Sequence, residues 1–356
     1  QKRLGVIPAN AKLTPWPKDL IKEWDQLSDL EKKLFIKQAE VFAAYVAYTD
    51  HEIGRVIQTV EELGRLDNTL IIYITGDNGT SSEGGPTGTP NEVASVQSVH
   101  LPVEAQMQYY DVWGSDRTYP HMSVGWTWAF GTPFSWTKMV SSHFGGTKQG
   151  TAISWPKVIK DKGGIRNQFH HVVDIAPTLL EATGIPLPEV IDGIKQNPME
   201  GVSMVYTFDK KNAGAPSTHK TQYFEMIGDR AIYHDGWILS TKVMRVPWDN
   251  SGTADKDPAS WPWELYDLSK DWTQYSDVSA QYPAIVVDRT VADHFEVLGP
   301  VGRGGIGIFS VEGIHHADPV HRRLLDTVDH FGHSDTGRFE NGGRDIHHVV
   351  ELVANA

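Results

Sequence analysis

A chain of 356 residues, 40% of them hydrophobic and 12 of them Trp, can fill one large domain or two ordinary ones around a sizeable core. Its net charge of −13 argues against a broad basic face for nucleic acid, and no apolar stretch approaches the length of a membrane span. There is no Cys, which excludes disulfides, thiolate metal sites and cysteine nucleophiles, and the opening residues QKRLGVIPAN resemble neither a signal nor a transit peptide and read as the interior of a longer chain.

In chain order, Trp24 to Leu63 carries helical periodicity, with Leu30, Leu34, Phe42, Val46, Ile53, Val56 and Val60 among its apolar positions, and ends at Gly64. The run Leu70 to Thr75 has the length and β-branched composition of a buried strand, apolar on both faces, and Gly76 and Gly79 mark its exit. Asp77 and Asn78 therefore ride on its carboxyl end. Two readings of that pair stand at this point. It forms an Asx turn, or it offers a carboxylate and an amide oxygen to a hard cation where ligands of open α/β sheets gather. Residues 79–92 read as a polar, Gly- and Pro-rich loop, the Trp-rich stretch 119–155 follows, and TAISW gives a short strand. Asp174 precedes an apolar helix-like run stopped by Gly184.

Alternation of strand and helix up to about residue 200 implies a mainly parallel α/β sheet flanked by helices. From 201 to 285 the runs TQYFEMI, RAIYHDGWILST and WELYDLSKD imply a small antiparallel sheet. Seven His fall between His315 and His348, at spacings that match no ligand motif, so a solvated surface is favoured over a metal site there.

FAAYVAYTDHEIGRVIQTVEELGRLDNTLIIYITGDNG, GWTWAFGTPFSWTKMVSSHFGGTKQGTAISWP, MEGVSM and QYFEMIGDRAIYHDGWIL, taken in order, resemble the sulfatases of the alkaline-phosphatase superfamily, most closely the long bacterial arylsulfatases, over most of residues 1–285. The resemblance implies that Asp77 and Asn78 supply two ligands of a Ca²⁺ ion, with Ca²⁺ ahead of Mg²⁺. It also implies that Lys138 contacts the sulfate group, an ammonium being able to neutralise a tetrahedral anion without demanding planar geometry. His143, Lys148 and His121 are polar candidates nearby, with His143 as a second substrate contact, and Trp126, Trp128 and Trp136 belong to the core or the pocket wall.

The family's nucleophile is a formylglycine made within Cys/Ser-x-Pro-x-Arg. This sequence has no Cys, and none of its Ser residues begins that motif. The resemblance thus implies a sulfate ester hydrolase whose nucleophile half lies elsewhere: residues 1–200 as the second half of the catalytic domain, 201–285 as a small antiparallel subdomain, and 286–356 as a possible remnant of a C-terminal β-sandwich. The implied partners are a sulfate ester and the N-terminal half of the catalytic domain, in a periplasmic or secreted protein. Two alternatives accompany it: an inactive fragment or pseudoenzyme that binds a sulfated ligand or a partner, and a related phosphatase or phosphonate hydrolase.

Overall fold

The computed structural model describes residues 1–76, 78–248 and 258–287. Asp77 and the His-rich segment with its expected β-sandwich remnant lie outside the described residues. The first long element is helix α1, Asp29–Glu62. Ser28 caps it, its hydroxyl accepting from the Glu31 amide at 3.2 Å while the Glu31 carboxylate accepts from the Ser28 amide at 2.8 Å. Two residues beyond the helix, Gly64 takes φ +68, the left-handed conformation that stops a helix. Only the first turns are fully covered: Leu34 and Phe35 are buried with Val103 and Trp113, a burial that stabilises by about 1.5–3 kcal/mol per large side chain. Further along, Tyr45, Val46, Tyr48 and Val56 stay exposed.

Strand β1, Ile71–Thr75, follows, and β2, Gly150–Ser154, runs against it with Ile71 opposite Ser154 and Thr75 opposite Gly150. The expected mainly parallel sheet does not form among the described residues, where every ladder is antiparallel. Nor is β1 buried on both faces; its residues are half-buried or exposed. The physical reason lies in the connection. Between the two strands the chain makes the short helices α2 (Glu92–Val96), α3 (Val103–Gln106), α4 (Val124–Gly131) and α5 (Phe144–Thr147) within irregular loops. That route returns the chain antiparallel instead of through a crossover helix.

Helix α6, Ile175–Thr183, ends at Gly184 with φ +68, and a minimal hairpin of β3 (Val190–Ile191) and β4 (Ile194–Lys195) comes next. The antiparallel sheet is a meander, β5 (Thr221–Met226), β6 (Asp229–His234), β7 (Trp237–Thr241) and β8 (Trp263–Asp267), in sequential order. Its first two turns are two-residue loops, Ile227-Gly228 and Asp235-Gly236, with positive φ at all four residues, matching the twist of paired strands. One face of this sheet packs Ala231, Ile238 and Tyr266 against Phe144 of α5, so it buttresses the loops beyond β1. A final short helix, α7, covers Pro283–Val287. No helix among the described residues is long and apolar enough to cross a membrane.

Candidate functional site

Three segments interlock at the carboxyl end of β1: residues 78–83, 135–140 and 143–147. Their backbones touch directly, which is why glycine recurs. A Cβ on Gly79 would stand 1.9 Å from the Gly145 carbonyl oxygen, and one on Gly145 would stand 2.2 Å from the carbonyl oxygens of Ser135 and Trp136. Hydrogen bonds from the Lys138 amide to the Thr80 carbonyl (3.0 Å) and from the Gly145 amide to the Ser135 carbonyl (2.9 Å) complete the lock. Trp136 and Met139, either side of Lys138, both hold positive φ, at 68° and 75°. Such conformations cost non-glycine residues energy and persist only where surrounding packing imposes them.

The lysine so positioned is half-buried, with its ammonium 2.6 Å from Glu83 Oε1. The other oxygen of Glu83 is buried and has no hydrogen-bond partner among the described residues. His121 Nε2 lies 4.0 Å from that oxygen and 2.7 Å from Ser81 Oγ. Lys138, Glu83, His121 and Ser81 therefore form one polar cluster in the loop beyond the strand. A cation held by one carboxylate, with a second polar face open, can exchange part of that pairing for an incoming tetrahedral anion.

His143 belongs to a different set of contacts. It is buried, its Nδ1 is 3.0 Å from Ser142 Oγ, and its Nε2 is 3.4 Å from Glu264 on β8, with Trp136 and Tyr266 edge-on. Lys148 is enclosed by rings, its ammonium 3.8 Å from the centre of Trp272, 4.6 Å from Phe144 and 5.4 Å from Phe134. Burial pulls its pKa down to about 7. Trp126 and Trp128 sit in core clusters, and Trp136 packs against the second of these. Asn78 is exposed. Among the described residues no three His, Asp or Glu side chains gather to hold a metal ion.

Sequence patterns gave no sign of Glu83 and Ser81 as members of the cluster, because the contact joins segments some forty residues apart. They also miss the role of Asp174. This carboxylate is fully buried and accepts from His170 Nδ1 (2.8 Å), His219 Nδ1 (2.8 Å), the His171 amide (3.0 Å) and the Val202 amide (2.8 Å). Burial alone would raise its pKa; the bonds from His170, the two amides and His219 overcome that and hold it well below the usual carboxylate range. It ties the start of α6 to the strand-bearing segment, away from Lys138's partners.

The sulfatase family profile matches residues 10–185. An uncharacterized sulfatase of Schizosaccharomyces pombe is 30% identical over 295 residues, covering 80% of this chain and 48% of that protein. The arylsulfatase of Klebsiella aerogenes is 28% identical over 230 residues, covering 64% of this chain and 45% of its own. The chain thus spans about half the length of the curated relatives it matches. Among solved structures, Ps i-CgsB is 18% identical with a TM-score of 0.42, over 79% of this chain and 46% of its own. Its complex with k-i-k-neocarrahexaose is 19% identical with a TM-score of 0.41, over 79% and 45%.

Proposed function

Because the chain belongs to the sulfatase family, we propose that it provides the sulfate-holding side of a sulfate ester hydrolase of arylsulfatase type, with Lys138 as the contact to the sulfate group. The observation that carries this reading is the position of the Lys138 ammonium: half-buried, fixed through its own amide to Thr80, and gathered with Glu83 and His121 beyond the carboxyl end of β1. There it would bind an anionic oxygen and stabilise charge that grows as the S–O bond breaks. His143, locked to Ser142 and Glu264, serves this site as wall.

Asp77 and Asn78 are proposed as two oxygen ligands of Ca²⁺. The donor set fits a hard cation in kind but falls short in number, since Ca²⁺ takes about six to eight oxygens. The remaining ligands would come from the part of the protein that carries the nucleophile. When bound, the ion would draw charge from the sulfate oxygens. The chain's own residues bind and orient: Lys138 meets the anion, Glu83 holds the lysine, and the tryptophan-lined core fixes the loop.

The nucleophile is proposed to lie on an N-terminal segment that packs on the exposed apolar positions of α1 and β1, in keeping with relatives about twice as long. In the whole protein, Lys138→Ala should lower aryl sulfate turnover about 10²- to 10³-fold with little change in melting temperature. Activity retained within a few-fold would return Lys138 to the ordinary surface charges. Titration calorimetry should show severe loss of Ca²⁺ affinity in Asp77→Ala, because the number of charged ligands sets affinity; unchanged affinity would remove the ligand assignment. Running aryl sulfate and aryl phosphate in parallel separates sulfatase from phosphatase.

A further inference from the structure

Beside Lys138 lies a hydroxyl–imidazole pair whose proton positions follow from its partners. His121 Nδ1 is 2.9 Å from the Met122 carbonyl oxygen. A carbonyl only accepts, so Nδ1 carries the hydrogen. In the neutral ring Nε2 is then a bare acceptor, and the donor it faces is Ser81 Oγ at 2.7 Å. A hydroxyl donating to an imidazole whose other nitrogen is tied down is the arrangement that activates serine as a nucleophile.

The pair is also held in place from outside. The Ser81 carbonyl accepts from Thr127 Oγ1 at 2.6 Å, and His121 exchanges two backbone bonds of 2.9 Å with Thr89. Gly84 lets the loop close over the ring, since a Cβ there would stand 2.7 Å from His121 Nδ1 and 2.2 Å from the Met122 oxygen. Ser81 is half-buried and the His121 side chain 10% exposed. The Lys138 amide bonds Thr80, next to Ser81, and its ammonium bonds Glu83, two residues on. A cation from the neighbouring segment is thus bonded to the loop that carries the hydroxyl.

We propose that Ser81 and His121 form a nucleophile–base pair that accepts a sulfuryl or sulfonyl group from an electrophilic tetrahedral sulfur. With a sulfate monoester, Ser81 Oγ attacks sulfur, the Oγ–S bond forms and the S–O bond to the leaving alcohol breaks. The hydroxyl proton passes to His121 Nε2 and from there to the leaving oxygen, so the products are the free alcohol and O-sulfoserine. The choice of a sulfate ester rests on the sulfatase reading; the pair itself does not.

The test treats the full chain with phenylmethylsulfonyl fluoride and, separately, with 4-nitrophenyl sulfate, and maps adducts by peptide mass spectrometry. Ser81 should be sulfonylated well ahead of its neighbour Ser82, a comparison made within the unmodified protein. His121→Gln should slow that labelling about 10²-fold in protein that keeps its melting transition, and Ser82→Ala should not. Equal labelling of Ser81 and Ser82, or a Ser81 rate indifferent to His121→Gln, would overturn the pair. Nitrophenyl sulfate should leave a sulfo group on Ser81; its absence would overturn the sulfuryl-acceptor assignment. The sulfonyl fluoride needs no recognition of sulfate, so its failure counts against the pair, whereas failed aryl sulfate turnover by the chain joined to the proposed nucleophile-bearing segment counts against the sulfatase reading.

Discussion

At the scale of single residues, the buried charges divide into those the fold satisfies and those it does not. Asp174 has four donors around it, whereas Asp229 is fully buried and neither of its oxygens has a hydrogen-bond partner among the described residues; Arg245 comes no closer than 3.8 Å. Burial pushes Asp229 up to about 7 from 3.8, against the partial help of Arg245 and with the repulsion of Glu225. A carboxyl group whose folded pKa is raised favours the folded state while it stays protonated, and that contribution fades as pH rises from about 4 to about 7. The melting temperature of Asp229→Asn should therefore gain on the parent across that interval and level off above it. Parallel melting curves at both ends would show that Asp229 titrates as it does in the unfolded chain. None of this was legible in the sequence, where Asp229 and Asp174 are ordinary acidic letters. Burial and bonding come from segments far apart, and the enclosure of Lys148 by Phe134, Phe144 and Trp272 has the same origin.

At the scale of elements, what is local was legible and what is pairwise was not. Apolar periodicity marks α1, β-branched letters mark β1, and period-two alternation marks the antiparallel sheet, because each signal resides within a few residues. Strand direction has no such signal. The expectation of parallel pairing came from strand and helix alternating, and β2 instead pairs with β1 antiparallel. The candidate site was partly legible, in the lysine before a double glycine. The reason for the double glycine lies in packing: Gly145 and Gly146 meet carbonyl oxygens of residues 135–140. Gly145→Ala should accordingly destabilise by about 1–3 kcal/mol or more, since backbone must move to admit the methyl group. Gly150→Ala, which meets nothing within 4 Å, is the control. Equal melting temperatures for the two would mean that the three loops are not locked together as described.

At the scale of the whole molecule, the proposed function pairs Lys138 as the sulfate contact with a nucleophile on a further segment. These 356 residues hold no Cys and no Ser-x-Pro-x-Arg, the motif from which the formylglycine of the proposed mechanism would be made. Exposed Tyr45, Tyr48 and Val56 on α1 and Ile74 on β1 are the apolar positions a covering segment would remove from water. Their burial would add to stability in proportion to the area covered, so the chain joined to such a segment should melt higher than residues 1–356 alone. The most direct measurement is 4-nitrophenyl sulfate hydrolysis by residues 1–356 alone, set beside the chain joined to the proposed nucleophile-bearing segment. Residues 1–356 alone should release at most about one equivalent of nitrophenolate, by transfer to a single serine without turnover. The joined protein should turn over continuously. Sustained turnover by the stringently purified chain alone would contradict it.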